Sequence, residues 1–250
     1  MQAQQLPASR GIAWVTAGFR LYRRGPPLLT TVTMAYLLVV MACGLVQPVG
    51  PFLLPLFLPA LTVLVSNACL LLDGAADNAR GVLLRGLSAQ RKPLLRLGLL
   101  QLAGTVAVLL VDTLIGGGDW TGLAANAEAE QPLRLLRLLA LAAPMLMALW
   151  FAPLLVAWNG VPAVKAMFFS LAASLRNWRA FLAYGATVMA VGVVLPGLLM
   201  LAVGLAAGGL LGPVSALLRM LLILIFAPVL MASVYLSYRD IFALPLSDHA

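Results

Sequence analysis

The chain has 250 residues, of which 63% are hydrophobic and only 10% are charged. A soluble protein of this length needs far more polar surface to cover its core, so this composition excludes a water-soluble fold. The net charge of +8 is typical of a nucleic-acid-binding protein, but the basic residues are spread over several segments beside apolar runs. We therefore expect no nucleic-acid partner, and the composition indicates a membrane protein.

Six apolar segments follow one another along the chain, and each is roughly 20 residues or longer, which is enough to cross the hydrocarbon core of a bilayer. A bilayer offers the backbone no hydrogen-bond partners, and the alternating pattern of a barrel strand is missing, so each segment is expected to be a helix. The fold class is therefore all-α, a polytopic membrane protein with a single transmembrane domain over 1–250. The spans are predicted at 27–47, 52–72, 94–115, 133–157, 180–206 and 213–237.

The basic residues lie mostly on one side of these spans. The side that carries the N-terminal segment, the segments 73–93 and 158–179 and the C-terminal tail holds thirteen of the sixteen Lys and Arg residues. Because Lys and Arg are retained on the cytoplasmic side, we predict a bacterial inner-membrane protein with both termini in the cytoplasm. The thirteen are Arg10, Arg20, Arg23, Arg24, Arg80, Arg85, Arg91, Lys92, Arg96, Lys165, Arg176, Arg179 and Arg239, and the other three are Arg134, Arg137 and Arg219.

A short signature recurs in the second span of three consecutive hairpins. It reads Phe57-Leu58-Pro59, Phe151-Ala152-Pro153 and Phe226-Ala227-Pro228. Its matching position within each hairpin predicts three tandem units, 8–72, 74–157 and 160–238, although a chance coincidence of Phe and Pro in an apolar chain is the alternative. Because proline removes a backbone hydrogen bond, Pro59, Pro153 and Pro228 are each expected to kink a helix.

Each hairpin is preceded by a segment that is expected to form an amphipathic helix in the headgroup plane of the cytoplasmic side. The apolar stripes are Ile12, Val15, Phe19 and Tyr22 in the first unit, Ala79, Val82, Leu83 and Leu87 in the second, and Val164, Phe168, Leu171, Leu175 and Trp178 in the third. Basic residues near these stripes are expected to contact anionic lipid headgroups. These predicted lipid contacts are Arg20, Arg23, Arg24, Arg91, Lys92, Lys165, Arg176 and Arg179.

Ionisable side chains inside the spans are costly, so they are the default functional candidates. Asp112 lies near the outer end of the third span and Arg219 in the first turns of the sixth. Their similar depth predicts an intramembrane polar pair, and Arg134 and Arg137 are alternative partners for Asp112. The pair is interpreted either as structural or as part of a substrate or proton site.

Patterns of catalytic or metal-ligating residues are missing from the sequence. The only histidine is His249, so neither a histidine metal site nor a triad can form within the membrane, and the sequence contains no P-loop and no Gly-x-Ser-x-Gly motif. We therefore predict no catalytic residue, no metal, no cofactor and no enzymatic activity. Cys43 and Cys69 are interpreted as small apolar fillers, and Asn67, Gln101 and Asn159 as hydrogen-bonding groups between helices.

Two stretches resemble a family of uncharacterised six-span inner-membrane proteins of proteobacteria. The first is Gly11-Ile12-Ala13-Trp14 with Gly18 and Leu21-Tyr22-Arg23-Arg24-Gly25-Pro26, and the second is Phe151-Ala152-Pro153-Leu154 with Ala163-Val164-Lys165-Ala166, Ser170 and Leu175-Arg176-Asn177-Trp178. This family is distantly similar to YciC-like and glycerophosphodiester-phosphodiesterase membrane-domain proteins. The resemblance implies a six-helix inner-membrane fold and brings no activity with it, because the acid-rich catalytic barrel of some relatives is missing here.

Two functions remain open at the level of sequence. The first is a non-enzymatic accessory, scaffold or assembly subunit that contacts another membrane protein complex or organises lipid. The second is a small transporter or lipid-handling protein, with a cavity lined by Asp112 and Arg219. The expected partners are membrane lipids with anionic headgroups and a further membrane complex.

Overall fold

A computed structural model describes residues 3–46, 49–74, 79–115, 127–206 and 208–242. These residues form helices and turns, with no strand among them. The helices are α1 (Ser9–Tyr22), α2 (Pro26–Leu45), α3 (Gly50–Leu72), α4 (Ala79–Leu83), α5 (Arg91–Ile115), α6 (Ala127–Trp150), α7 (Ala152–Asn159), α8 (Ala163–Arg176), α9 (Trp178–Met189), α10 (Leu195–Ala206), α11 (Leu211–Leu221) and α12 (Ala227–Phe242). π-helical turns at Ala190–Val194 and Leu222–Phe226 join α9 to α10 and α11 to α12, and a 3₁₀ turn at Gly208–Leu210 precedes α11.

Six stretches of the described chain are long and apolar enough to cross a membrane, which confirms the predicted fold class. They are Pro26–Leu45, Phe52–Leu72, Arg91–Ile115, Leu133–Asn159, Trp178–Ala206 and Leu211–Phe242. The last two contain 29 and 32 residues, more than the roughly 20 that a span needs. The third hairpin is therefore longer than the bilayer requires.

Proline and glycine set several of the helix ends. α2 begins with Pro26 and Pro27, at positions where a missing backbone N–H leaves no helical bond unmade. α7 ends at Gly160, whose φ of +64° is the left-handed conformation that closes a helix. Pro162 then precedes the first residue of α8.

The core is formed where the second helices of the three hairpins meet. α3 contacts both α7 and α12, and aromatic rings of α7 and α12 pack together, with the Trp158 and Tyr238 ring centres 5.3 Å apart. Val63, Phe151 and Tyr235 are fully buried in this core. Because the buried residues of α3 and α12 lie mainly in their C-terminal halves, the core sits in the half of the bundle nearest the basic side.

Each segment that precedes a hairpin packs on a different hairpin. α1 packs on α9 and α12 of the third hairpin, α4 on α3 of the first, and α8 on α5, α6 and α7 of the second. Every such segment thus joins its own hairpin to the preceding one in cyclic order. The three tandem units stay a prediction, and this arrangement is what a ring of three units would produce.

The outer part of the third hairpin separates from the bundle. α10 packs on α11 and on the π-helical turn beside it, and α11 packs on α10 and on its own π-helical turn. None of the residues of α10 or α11 is buried. This arm therefore offers its apolar surface to whatever surrounds it in the membrane.

Candidate functional sites

Asp112 forms an ion pair within the second hairpin. Its carboxylate is almost fully buried and accepts hydrogen bonds from Arg137 Nε at 2.6 Å and from Arg134 Nε at 3.3 Å. Arg219 instead donates to the carbonyl oxygen and the hydroxyl of Ser215, at 3.4 and 3.2 Å, on its own helix. The predicted Asp112–Arg219 pair is therefore corrected to a pair with the alternative partners, because α6 packs on α5 whereas α11 packs on α10.

A serine from a neighbouring helix explains the interruption next to Pro153. The Phe151 N–H donates to Ser170 Oγ at 2.9 Å, and that hydroxyl donates to the Met147 carbonyl oxygen at 2.7 Å. Ser170 therefore stands between two backbone groups that would bond directly in an unbroken helix. A side chain inserted in this way separates α6 from α7.

The helix around Pro228 adapts differently. Proline has no N–H, so the Leu224 carbonyl four residues earlier loses its helical partner, and the turn there is π-helical. The Tyr22 and Thr30 hydroxyls donate to this carbonyl at 3.4 and 3.3 Å. Around Pro59 no such adaptation occurs: α3 continues through this residue as one helix, and the kink predicted there stays a prediction.

Asp73, at the C-terminal end of α3, joins the first and third hairpins. Its carboxylate accepts hydrogen bonds from the Tyr235 hydroxyl at 3.0 Å and from Arg239 at 2.5 Å, and Arg24 lies 3.4 Å away. Part of the charge of Arg24 is thus offset by this carboxylate, and its predicted lipid contact stays a prediction.

Asp240, near the end of α12, joins this helix to α1. It pairs with Arg10, accepts a hydrogen bond from Trp14 Nε1 at 2.9 Å, and lies 3.7 Å from Arg239. Since Arg239 also bonds to Asp73, one chain of charges connects α1, α3 and α12. The sequence reasoning missed both aspartates, although acidic residues on a side with thirteen cations were a usable signal.

Two asparagines bond across helices as expected. Asn67 accepts a hydrogen bond from Trp158 Nε1 at 2.8 Å and donates to the carbonyl oxygens of Leu83 and Arg85, at 3.0 and 2.9 Å. The Tyr238 hydroxyl donates to Asn159 Oδ1 at 2.5 Å. These bonds fix the turn after α4 and the end of α7 against the core.

Most of the predicted lipid-contacting cations are exposed and have no carboxylate partner among the described residues. They are Arg20, Arg23, Arg91, Lys92, Lys165, Arg176 and Arg179. Lys165 Nζ lies 5.6 Å from the centre of the Phe169 ring, and the Arg179 guanidinium lies 5.4 Å from the Trp178 ring. Their positive charge is available to anionic headgroups, and the lipid contacts themselves stay a prediction.

α8 has two faces of opposite character. Small side chains such as Ala166, Ser170 and Ala173 are buried against the second hairpin. The large apolar residues Val164 and Phe168 of the predicted stripe are 69% and 66% exposed. A helix that turns its large apolar residues away from the protein is suited to the headgroup plane.

The stripe predicted for α1 is only partly right. Ile12 and Phe19 of that stripe are exposed, as an apolar face in the headgroup plane requires, but Val15 is buried against the protein. The face that contacts α9 and α12 is instead built from Gly11, Trp14, Val15, Gly18 and Leu21. Small residues let α1 approach the backbones of these helices closely, which large apolar side chains would prevent.

A crevice of about 740 Å³ lies between α1 and the two spans of the third hairpin. Neither Asp112 nor Arg219 belongs to its lining, and the predicted cavity with these two residues stays a prediction. Its walls are apolar except at α1, where Thr16 and Arg20 reach it. The lining consists of Val15, Thr16, Phe19, Arg20, Val191, Leu195, Pro196, Leu199, Leu218, Leu221, Leu222, Ile225, Phe226 and Val229.

A probable inner membrane protein of Burkholderia thailandensis is 32% identical to this chain in an alignment of 200 residues that covers 74% of each protein. The chain belongs to the family of this protein. The membrane location of the relative agrees with the six apolar helices, and the chain is an integral, multi-pass membrane protein. No family model and no solved structure matches the chain, and the more distant resemblance to YciC-like proteins stays a prediction.

In this family member, two glycines of the first sequence motif have structural roles. A Cβ atom at Gly11 would lie 2.1 Å from the Ala180 carbonyl oxygen, and one at Gly18 would lie 2.7 Å from the Val229 carbonyl oxygen. Both positions are places of close backbone approach, where any larger residue would force α1 away from α9 or α12.

Asn177, in the second motif, holds the N-terminal segment. Its Oδ1 accepts a hydrogen bond from the Leu6 N–H at 2.8 Å, and its Nδ2 donates to the carbonyl oxygens of Gln4 and Ala173 at 2.9 and 3.0 Å. The segment before α1 is irregular and cannot pair its own backbone N–H and C=O groups, so this buried side chain supplies their hydrogen-bond partners.

Proposed function

We propose that this family member is a non-enzymatic accessory or scaffold protein of the bacterial inner membrane that binds another membrane protein complex through its third hairpin. In this proposal both termini lie in the cytoplasm, and the exposed cations of the basic side bind anionic lipid. The single observation that carries the proposal is Arg219, an exposed guanidinium on α11 whose hydrogen bonds to described residues go only to Ser215 of its own helix.

The position of Arg219 within an apolar span is the reason why its lack of a partner from another described helix is informative. It follows Leu211, the first residue of α11, by eight positions, which is about 12 Å along a helix. An arginine at the centre of a span costs about 2.5–3.5 kcal/mol on insertion scales. An acidic side chain on a partner helix would offset this cost, and Arg219 has no carboxylate partner among the described residues.

The surrounding surface suits a helical partner. The residues of α10 and α11 are unburied and mostly apolar, and a Cβ atom at Gly197 would meet no atom within 4 Å. A glycine on an open helix face permits close approach by another transmembrane helix. The small hydrophilic mass of the chain and its lack of catalytic motifs further support an accessory role.

The proposal is tested by extracting native membranes in a mild detergent and measuring the size of the complex that contains the chain. Arg219→Gln is expected to release the chain as a smaller species, because the partner's carboxylate loses its cation. Arg219→Lys, which keeps the charge, is expected to retain most of the large complex.

Arg96→Gln serves as the matched control, since it removes an exposed arginine from the basic end of α5. It is expected to leave the complex intact. Recovery of the wild-type chain only as a monomer, or equal behaviour of Arg219→Gln and Arg96→Gln, would count against the proposal.

A further inference from the structure

The crevice beneath α1 is a product of two matched irregularities in the third hairpin. One π-helical turn, Ala190–Val194, is followed closely by Pro196, and the other, Leu222–Phe226, by Pro228. The two turns touch, because a Cβ atom at Gly192 would lie 2.6 Å from the Phe226 ring. π-helical turns of this kind occur frequently at functional sites.

The lining of the crevice restricts what can fill it. Its walls offer hydrocarbon, and the Thr16 hydroxyl already donates to the Ala13 carbonyl oxygen at 3.0 Å. Water is therefore a poor occupant, since it needs two to four polar partners. In a bilayer an apolar space of this kind fills with hydrocarbon.

The volume of the crevice and the charge of its lining further restrict which molecule can fill it. A transmembrane helix of about 18 residues and 10 Å diameter occupies roughly 2000 Å³, which is far more than the crevice volume of about 740 Å³. One positive charge, that of Arg20, lines the space, and it has no carboxylate partner among the described residues. The complementary molecule has an apolar tail and one anionic end.

We propose that the crevice binds one anionic glycerophospholipid, with its phosphate at Arg20 and an acyl chain between α1 and the two π-helical turns. Arg20 lies on α1, at the basic side of the bundle, where headgroups of the cytoplasmic leaflet would be found in the proposed orientation. The acyl chain fills the space that α1 and the two spans of the third hairpin surround. This site is separate from the proposed protein contact at Arg219 and does not depend on it.

Lipid retention tests this assignment directly. The purified chain is placed in nanodiscs of equal phosphatidylglycerol and phosphatidylethanolamine, extracted in mild detergent, and its bound lipids are counted by native mass spectrometry. The wild-type chain is expected to retain one phosphatidylglycerol. Arg20→Gln is expected to lower its preference for phosphatidylglycerol about fivefold, as the loss of one arginine at a membrane surface predicts.

Filling the crevice tests the acyl-chain part of the site. Leu195→Trp and Leu218→Trp both add bulk to the lining and are expected to abolish retention of the lipid. Leu205→Trp is the control, because Leu205 lies outside the lining and is 83% exposed.

Several results would overturn the assignment. One is a preference for phosphatidylglycerol that is equal in Arg20→Gln and Arg91→Gln. Arg91 is an exposed cation outside the lining of the crevice. Another is retention of the lipid at the wild-type level in both Leu195→Trp and Leu218→Trp. If those variants fail to fold, Arg20→Gln still decides, since the side chain that it replaces is exposed.

Discussion

Replacing Ser170 by alanine removes the hydroxyl that links Phe151 to Met147. The Phe151 N–H donates to this hydroxyl at 2.9 Å, and the hydroxyl donates to the Met147 carbonyl oxygen at 2.7 Å. Ser174 also donates to the same carbonyl at 3.3 Å, so that acceptor keeps a partner in Ser170→Ala. The main loss is therefore one buried N–H without an acceptor.

An unsatisfied buried donor costs about 1–3 kcal/mol, and hydrogen bonds between membrane helices average about 0.6 kcal/mol in measured cycles. We expect Ser170→Ala to lower the free energy of unfolding by about 1–2 kcal/mol. The double variant with Ser174→Ala should lose more than the sum of the single changes, because the Met147 carbonyl then has neither hydroxyl.

The assay is reversible unfolding in mixed micelles of mild detergent and dodecyl sulfate, followed by circular dichroism. Ser237→Ala is the matched control, since Ser237 is also buried but donates only to Val234 of its own helix, at 2.7 Å. Equal stabilities of Ser170→Ala and Ser237→Ala would refute the role of the inserted hydroxyl.

Two further predictions concern α1 and the orientation. Gly11→Ala would place a Cβ atom 2.1 Å from the Ala180 carbonyl oxygen and is expected to lower the free energy of unfolding by about 1–3 kcal/mol. Gly197→Ala is the control and should cost nothing, because a Cβ atom at that position would meet open space. Equal losses in the two variants would contradict the close contact at Gly11. In a cysteine-free background, a membrane-impermeant maleimide applied to intact cells should label Leu210→Cys but not Lys165→Cys, and the reverse pattern would invert the proposed topology.

The spans could be predicted from the sequence because length and hydropathy alone determine which segments can lie in a bilayer. The predicted 52–72 matches the observed Phe52–Leu72, and 180–206 differs from Trp178–Ala206 by two residues. The all-α class follows from the same physics, since a lipid-exposed backbone must satisfy its own hydrogen bonds.

The residues that pack an interfacial helix against the protein could not be predicted in the same way. In α8 the large residues Val164 and Phe168 point outward, whereas Ala166 and Ala173 are buried. Lipid is as apolar as a protein core, so large apolar side chains gain little by facing the protein, and small ones permit closer packing. In α1 likewise, Ile12 and Phe19 of the predicted stripe are exposed, whereas Val15 belongs to a contact face that includes Gly11.

The partners of polar groups depend on tertiary structure and were equally hard to predict. Arg134 and Arg219 both lie on the side of the spans opposite to the basic side, and hydropathy does not rank them as partners of Asp112. Only the packing of α6 on α5 brings Arg134 and Arg137 to that carboxylate.

The arginines of the basic side fall into two groups with different physical roles. Arg10 and Arg239 pair with carboxylates that join α1, α3 and α12, so these charges hold the helices together. Arg20 and Arg23 have no carboxylate partner among the described residues, so their charge is available to the membrane. Charge counts in a sequence treat both groups alike, yet only the second can change lipid binding without loosening the fold. Arg24 belongs between them, since Asp73 lies 3.4 Å away while 61% of its side chain stays exposed.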